Sequence, residues 1–344
     1  MMRLPTFEYF RPKSLSEAAE LLGKSPEHTR LVAGGTDLYP NLKRRHQQAE
    51  RVISLRDVPD LHGIRVNGAG DLTIGAMTTL TKIVAHPEVR RLLPALSRAA
   101  ATVSTPVLRN MGTIGGNLCL DTRCTYYNQS EEWRRSIGYC MKEVGETCWV
   151  APGSPRCWAV SSSDTAPLLC SVDAEVRLVS SRGERIIPLT ELYQDDGIRY
   201  LNKAADEILT EISVPHEPGR RSTYWKLRRR GSIDFPVLGV GASLKFNESR
   251  EVVHARIHLG GVHSFPVEAS AAERHLEGKS LTEAVAAEAA RLAQGVSSPM
   301  DNTDFTLQWR REMVLHYVDG VLRELGDLPT RVWPSSQGMG AMSV

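Results

Sequence analysis

Two short glycine-bearing segments and a run of cysteines are the residues whose types and spacing could do chemistry in this chain. Ala33-Gly34-Gly35-Thr36-Asp37-Leu38 follows the short apolar stretch Arg30–Ala33, and Thr113-Ile114-Gly115-Gly116-Asn117 comes about eighty residues later. Glycine lets backbone approach a phosphate closely, and amide N–H groups opening a helix attract an anion. Either segment alone is as readily an ordinary turn. Together, two such turns can clasp a dinucleotide pyrophosphate from two sides. No GxGxxG opens a strand–helix–strand unit and no GxxxxGK(S/T) is present, so neither a Rossmann nor a P-loop site is expected.

Five of the six cysteines fall between residues 119 and 157. Cys124, Cys140, Cys148 and Cys157 are separated by 15, 7 and 8 residues, with no CxxC knuckle, so the common zinc patterns and compact ferredoxin runs are not matched. Four thiolates spread over such a loop can still close around a cubane, because the metal centre supplies the energy that orders the loop. Glu131, Glu132, Arg134, Arg135, Lys142, Glu143 and Glu146 leave the segment polar and in need of a staple. Zinc is the plainer competitor. Cys119 could replace one ligand but is expected to pack, and Cys170 is expected to be a buried thiol. A phosphate-cradling turn leading into a cysteine cluster points to two adjacent cofactors and to electron transfer.

The elements that must position these groups read as follows. Ser14 and Glu17 form a capping-box pattern ahead of Leu15, Ala18, Ala19 and Leu22, with Gly23 as stop. Strands are expected at 30–33 and 51–55, a hairpin at 62–66 and 72–76, and helices near 79–85 and 94–101. A second hairpin covers 174–179 and 185–188, and 207–214 alternates as a strand. After a boundary at 216–220 come three strands (222–227, 237–246, 252–262) and helices near 268–276, 281–293 and 305–325, the last ended by Gly326. The composition, 344 residues with 41% hydrophobic and 24% charged, is that of a globular protein of two or three domains. A net charge of +2 without a long basic run argues against nucleic acid. No secretory h-region and no apolar run of about 18–20 residues is found, so a cytoplasmic location is expected, where clustered cysteines more often bind metal than pair.

AGGTDL at 33–38, TIGGNL at 113–118, SSDTAP at 162–167, DEILTEISVP at 206–215 and YWKLRRRGSIDFPVLGVG at 224–241 resemble the FAD-binding subunits of molybdenum hydroxylases, in order over nearly the whole chain. The resemblance implies an α+β fold. A PCMH-type (vanillyl-alcohol-oxidase-like) FAD-binding domain would span 1–219, in two α/β subdomains (about 1–58 and 59–219). A flavoprotein domain with a three-stranded antiparallel sheet and helices would follow at 220–328, then a loose tail at 329–344. FAD would be held by Leu31, Val32, Ala33, Gly34, Gly35, Thr36, Asp37, Leu38, Thr113, Ile114, Gly115, Gly116 and Asn117. Asp164 would bind its hydroxyls, and Leu209 and Lys226 would lie near the isoalloxazine. Without the resemblance, Lys226 and Arg228–Arg230 would read as a solvated face.

The insertion at about 120–160 resembles that of the β subunits of 4-hydroxybenzoyl-CoA reductases, in which four cysteines bind a 4Fe-4S cluster; here these are Cys124, Cys140, Cys148 and Cys157. The resemblance implies an electron-transfer subunit with no catalytic residue of its own. Electrons would run from reduced ferredoxin through the cluster and FAD to a small 2Fe-2S subunit and a large molybdopterin subunit, in a dimer of heterotrimers. There the phenolic hydroxyl of 4-hydroxybenzoyl-CoA would be removed to give benzoyl-CoA. The alternatives are an FAD subunit carrying electrons outward from an oxidised substrate, and a non-redox module stapled by zinc.

Overall fold

The computed structural model describes residues 3–329, so most of the tail expected to be loose lies outside the described residues. The chain opens with β1 (Glu8–Phe10), α1 (Leu15–Gly23), β2 (Thr29–Val32), α2 (Leu38–Lys43) and β3 (Arg51–Ser54). β3 lies between β1 and β2 and pairs with both in parallel. Ser14 caps α1 by accepting from the Glu17 N–H at 3.2 Å, while the Glu17 carboxylate returns to the Lys13 N–H instead of that of Ser14. Ala18, Ala19 and Leu22, one helical face, bury against Ile53, Leu55 and Val58.

The hairpin of β4 (Ile64–Val66) and β5 (Leu72–Gly75) forms as expected, its turn closed by Asn67 Oδ1 accepting from the Ala69 and Asp71 N–H groups. A helical stretch follows: α3 (Leu80–Ala85), α4 (Pro87–Leu92), α5 (Pro94–Thr102), α6 (Pro106–Arg109), α7 (Ile114–Leu118), α8 (Glu131–Ser136) and α9 (Ala166–Ser171). Proline opens α4, α5 and α6, where its missing N–H is not needed. Then β6 (Glu175–Ser180), β7 (Gly183–Pro188) and β8 (Ile208–Val214) complete a five-stranded antiparallel sheet in the order β4-β5-β8-β6-β7. One apolar core joins this sheet to α3, α5, α7 and α9.

The C-terminal part contains β9 (Arg220–Leu227), β10 (Leu238–Phe246), β11 (Val252–Gly260), α10 (Ser270–Leu276), α11 (Glu283–Val296) and α12 (Leu307–Gly326). Its sheet has four strands where the sequence predicts three. Val267–Glu268, here β12, pairs with His258 and Leu259 and takes the residues just before α10. Two residues are too few to show a period. The helix ends at Gly326 as expected, but the left-handed cap is Asp327 at φ +57°, and a Cβ on Gly326 would meet Leu281 at 2.6 Å. Leu238, Val240, Ala242 and Leu244 pack under the helices. The opposite face of β10 lies on α9 so tightly that a Cβ at Gly241 would come 2.4 Å from the Leu168 N. Residues 161–165 are thereby enclosed, and all five are buried.

A cavity at two crossing turns and a pocket of four cysteines

β2 ends in the first glycine turn, where Gly35 takes φ +72°. Among the described residues the N–H groups of Gly34, Gly35 and Thr36 have no acceptor in the chain. Three adjacent free amides before α2 make an anion cradle. A Cβ on Gly34 would lie 2.0 Å from the Met111 carbonyl oxygen, so the first turn crosses the backbone leading to the second with no room for any side chain. The second turn spends its amides internally: Ile114 N–H donates to Thr78 O, Gly115 N–H to Ala76 O and Gly116 N–H to Thr113 Oγ1. It contributes shape, and it contributes Asn117, whose Oδ1 accepts from Ser163 Oγ, the Thr165 N–H and Thr165 Oγ1.

These segments enclose a cavity of about 640 Å³. Of the residues expected around a dinucleotide, Leu31, Ala33, Gly34, Gly35, Thr36, Asp37, Leu38, Thr113, Gly115, Gly116, Asn117, Asp164 and Leu209 line it. Val32 and Ile114 do not; their side chains point into the cores. Lys226 does not line it either, but it is no solvated residue: it is 5% exposed and stands behind Asp164. Its Nζ donates to Asp164 Oδ2 at 2.9 Å, Asp234 O at 2.8 Å and Thr102 O at 3.0 Å. Tyr224 donates its hydroxyl to Asp164 Oδ1 at 2.8 Å. Burial pushes the Asp164 carboxyl upward, and Lys226 and Tyr224 oppose that shift. Arg229 and Arg230 are exposed, as their composition alone would predict.

Sequence reasoning missed other wall residues: Ser104, Asp121, Tyr127, Lys142, Tyr200, Lys203, Ile233 and Phe235. Ile233 and Phe235 fall within the 224–241 motif but were not singled out, and the others lie on loops that no motif marks. Arg123 is one signal that could have been weighed; it pairs with Asp37 and lies 4.5 Å from the centroid of the Phe235 ring.

The insertion folds beside this cavity. Cys124, Cys140, Cys148 and Cys157 are all free, buried and exposed to one common pocket, together with Tyr126, Tyr127, Met141, Lys142, Trp149, Val150 and Ala159. No carboxylate or imidazole shares that lining. Among the described residues no three of these sulfurs lie within 4.8 Å of one another. A single tetrahedral zinc, with Zn–S of about 2.3 Å, would draw them to roughly 3.8 Å. Burial pushes the Cys124 thiol up to about 11, with Cys140 and Cys148 adding to it. Cys148 is held down at about 5, first by its hydrogen bond with Cys157, whose own thiol is raised by the same contact. Cys119 lines the cavity but not the cysteine pocket, and Cys170 is buried in the core, raised by desolvation.

Arg134 pins the insertion. It is 1% exposed, pairs with Glu131 and with Glu143 at 3.0 Å, and donates to the carbonyls of Arg44 (3.2 Å) and Arg45 (3.3 Å) beyond α2. Tyr127 donates its hydroxyl to His46 O, and His46 Nε2 faces Gln129 O at 3.0 Å. On the other side Thr125 N–H donates to Asn302 O, and Asn302 donates to Trp158 O.

Among the described residues no helix is long and apolar enough to cross a membrane. Residues 5–217 match the FAD binding domain in molybdopterin dehydrogenase, and residues 222–325 match the CO dehydrogenase flavoprotein C-terminal domain. The chain is 31% identical to the nicotinate dehydrogenase FAD-subunit of Eubacterium barkeri, over 80% of this chain and 81% of that one. It is 29% identical to the carbon monoxide dehydrogenase medium chain of Hydrogenophaga pseudoflava, over 87% and 89%. The solved carbon monoxide dehydrogenase from H. pseudoflava superposes with a TM-score of 0.78 at 29% identity, covering 94% of this chain and 98% of that one. Quinoline 2-oxidoreductase from Pseudomonas putida 86 gives 0.77 at 25% identity, over 95% and 99%. The chain therefore belongs to the family of FAD-binding subunits of the molybdenum hydroxylases.

Proposed function

We propose that FAD occupies the cavity at the crossing turns and that this chain relays electrons between it and redox centres on partner subunits. One observation carries the reading: three successive unpaired amides, of Gly34, Gly35 and Thr36, lie on the turn where the two backbones cross. Pyrophosphate oxygens are the acceptors such a cradle fits. Residues 31–38 and 113–117 shape the channel, Asp164 takes hydrogen bonds from the flavin's hydroxyls, and Leu209 gives apolar contact. Lys226 acts one step removed, fixing the Asp164 carboxylate. The cofactor supplies the exchange of one or two electrons; the chain supplies placement and exclusion of water. No residue here acts as acid or base on a substrate, which is handled on a large molybdopterin subunit, with a small 2Fe-2S subunit between, in an assembly of heterotrimers.

The relatives, named as dehydrogenase subunits for nicotinate and carbon monoxide, favour electrons flowing from an oxidised substrate outward to an acceptor. The four cysteines favour a second reading. A thiol-only lining fits an iron–sulfur cluster, with zinc as the competitor that a metal assay must separate from it. A 4Fe-4S group on Cys124, Cys140, Cys148 and Cys157 would be an additional entry point, suited to reduced ferredoxin and to reductive dehydroxylation of 4-hydroxybenzoyl-CoA. Anaerobic purification with its co-purifying chains separates these. FAD with iron and acid-labile sulfide, lost in part in Cys140→Ser while FAD stays, supports the cluster. Zinc in their place refutes it, and a colourless chain refutes both redox readings. With a cluster present, benzoyl-CoA formed from 4-hydroxybenzoyl-CoA and reduced ferredoxin decides for the reductase. Substrate-driven flavin reduction by a compound such as nicotinate decides for the dehydrogenase.

A further inference from the structure

The cavity and the cysteine pocket share a wall. Tyr127 and Lys142 line both, while none of the four pocket cysteines reaches the cavity. The Tyr127 ring is buried and its hydroxyl is committed to His46 O, so it is fixed in place. Lys142 stands two residues after Cys140, and its side chain is only 5% exposed. Its Nζ donates to Asp121 Oδ1 at 2.8 Å, to Thr122 Oγ1 at 2.7 Å and to Gly197 O. It also lies 5.2 Å from the centroid of the Tyr127 ring and 5.5 Å from that of Tyr200. On the pocket side, Lys142 shares the lining with all four cysteines, and its side-chain charge bears on Cys157. Gly197, which receives the ammonium, also donates its N–H to Cys157 O at 2.9 Å, and a Cβ there would strike the Cys157 sulfur at 2.6 Å.

A buried ammonium is an expensive way to fill a wall; an apolar side chain would pack there at less cost. Here three acceptors hold the charge between two redox sites, with one carboxylate, Asp121, set against it. Charge and N–H donors around cluster sulfurs are what set a cluster's potential. Resting on the cluster reading of the cysteine pocket, we propose that Lys142 is a positioning residue shared by both sites. Its ammonium favours the electron-rich form of the cysteine-bound cluster, and Asp121 opposes that effect. The step concerned is uptake of one electron from an external low-potential reductant, with no bond made or broken.

The test is a redox titration of the anaerobically purified complex, followed by the cluster's electron paramagnetic resonance signal. Lys142→Met is expected to make cluster reduction at least tenfold less favourable, about 59 mV more negative for a one-electron couple. Asp121→Asn is expected to shift the midpoint the opposite way, and Lys142→Arg to stay near the wild type. Unchanged midpoints, or shifts of the same sign in Lys142→Met and Asp121→Asn, overturn the proposal while leaving the cluster in place. If Lys142→Met does not assemble, Asp121→Asn decides: a positive shift supports the proposal and an unchanged midpoint overturns it. Wild-type protein without iron and sulfide overturns the cluster reading first, and this proposal with it.

Discussion

The cavity and the cysteine pocket share a wall but are built in opposite ways. The cavity is assembled from segments far apart in sequence: the β2–α2 turn, the turn opening α7, residues 162–164 and β8. Each leans on an extensive apolar core. The pocket comes from one continuous stretch whose own core is Cys124, Tyr127, Cys140, Cys157 and Ala159, held to the body by polar clamps. Damage to the first should therefore spread through the fold, and damage to the second should stay local. Gly34→Ala is the harshest way to break the comparison. Its methyl would need the space of the Met111 carbonyl, 2.0 Å away, and backbone cannot swing aside as a side chain can. A loss on the order of 5 kcal/mol is expected, beyond ordinary overpacking, with FAD binding abolished. Thermal unfolding and flavin absorbance check it; a variant that keeps FAD and its melting temperature would show that the turns are not rigidly crossed.

Arg134→Ala tests the other side. Removing one partner of a buried ion pair costs about 3–5 kcal/mol, and it leaves Glu143 and two carbonyls behind. The expected outcome is proteolytic cleavage within 120–160 while FAD and the main unfolding transition are retained. Loss of FAD would instead mean that the insertion supports the cavity.

The same contrast explains what could be read beforehand. The cavity's glycines were legible because close backbone approach leaves a local signature. Asp164 and Leu209 came only from the family resemblance, since a polar turn and an alternating strand do not by themselves mark a cavity. The four cysteines were legible from residue type. Arg134, Tyr127 and Lys142 were not, because a charged or aromatic residue in a polar loop looks solvated until tertiary contacts bury it. Lys226 misled for the same reason. The β12 strand and the Asp327 cap escaped because two residues, or one, carry no period.

Acid should act on the module's base before it reaches the cavity. Burial, with Arg134 nearby, holds the His46 imidazole down at about 4, against an ordinary 6.5. The detached segment takes up its proton first, so docking stability is whole above pH 6.5 and is lost as pH falls toward 4, by up to about 3 kcal/mol. His258, buried in the C-terminal sheet, is likewise held at about 4 by desolvation and has the same sign. Cleavage within 120–160, measured against pH, separates the two. His46→Phe should flatten that profile, and a profile that keeps its slope would remove His46 from the account.

The mildest comparison uses two helix caps with the same chemistry in the two regions. Thr113 accepts the Gly116 N–H at 3.1 Å at the start of α7, and Ser130 accepts the Trp133 N–H at 3.3 Å at the start of α8. Cap removal by itself costs about 1 kcal/mol. Thr113 is 3% exposed and packed into the cavity wall, so Thr113→Ala also removes buried side-chain packing, and about 1–2 kcal/mol in all is expected. FAD affinity should weaken alongside. Ser130 sits at the insertion's surface, where water can satisfy the freed N–H, so Ser130→Ala should cost about 1 kcal/mol or less. That loss should appear only as slightly faster cleavage near α8. Equal effects of the two substitutions on global stability would mean that the insertion is as tightly coupled to the core as the cavity is.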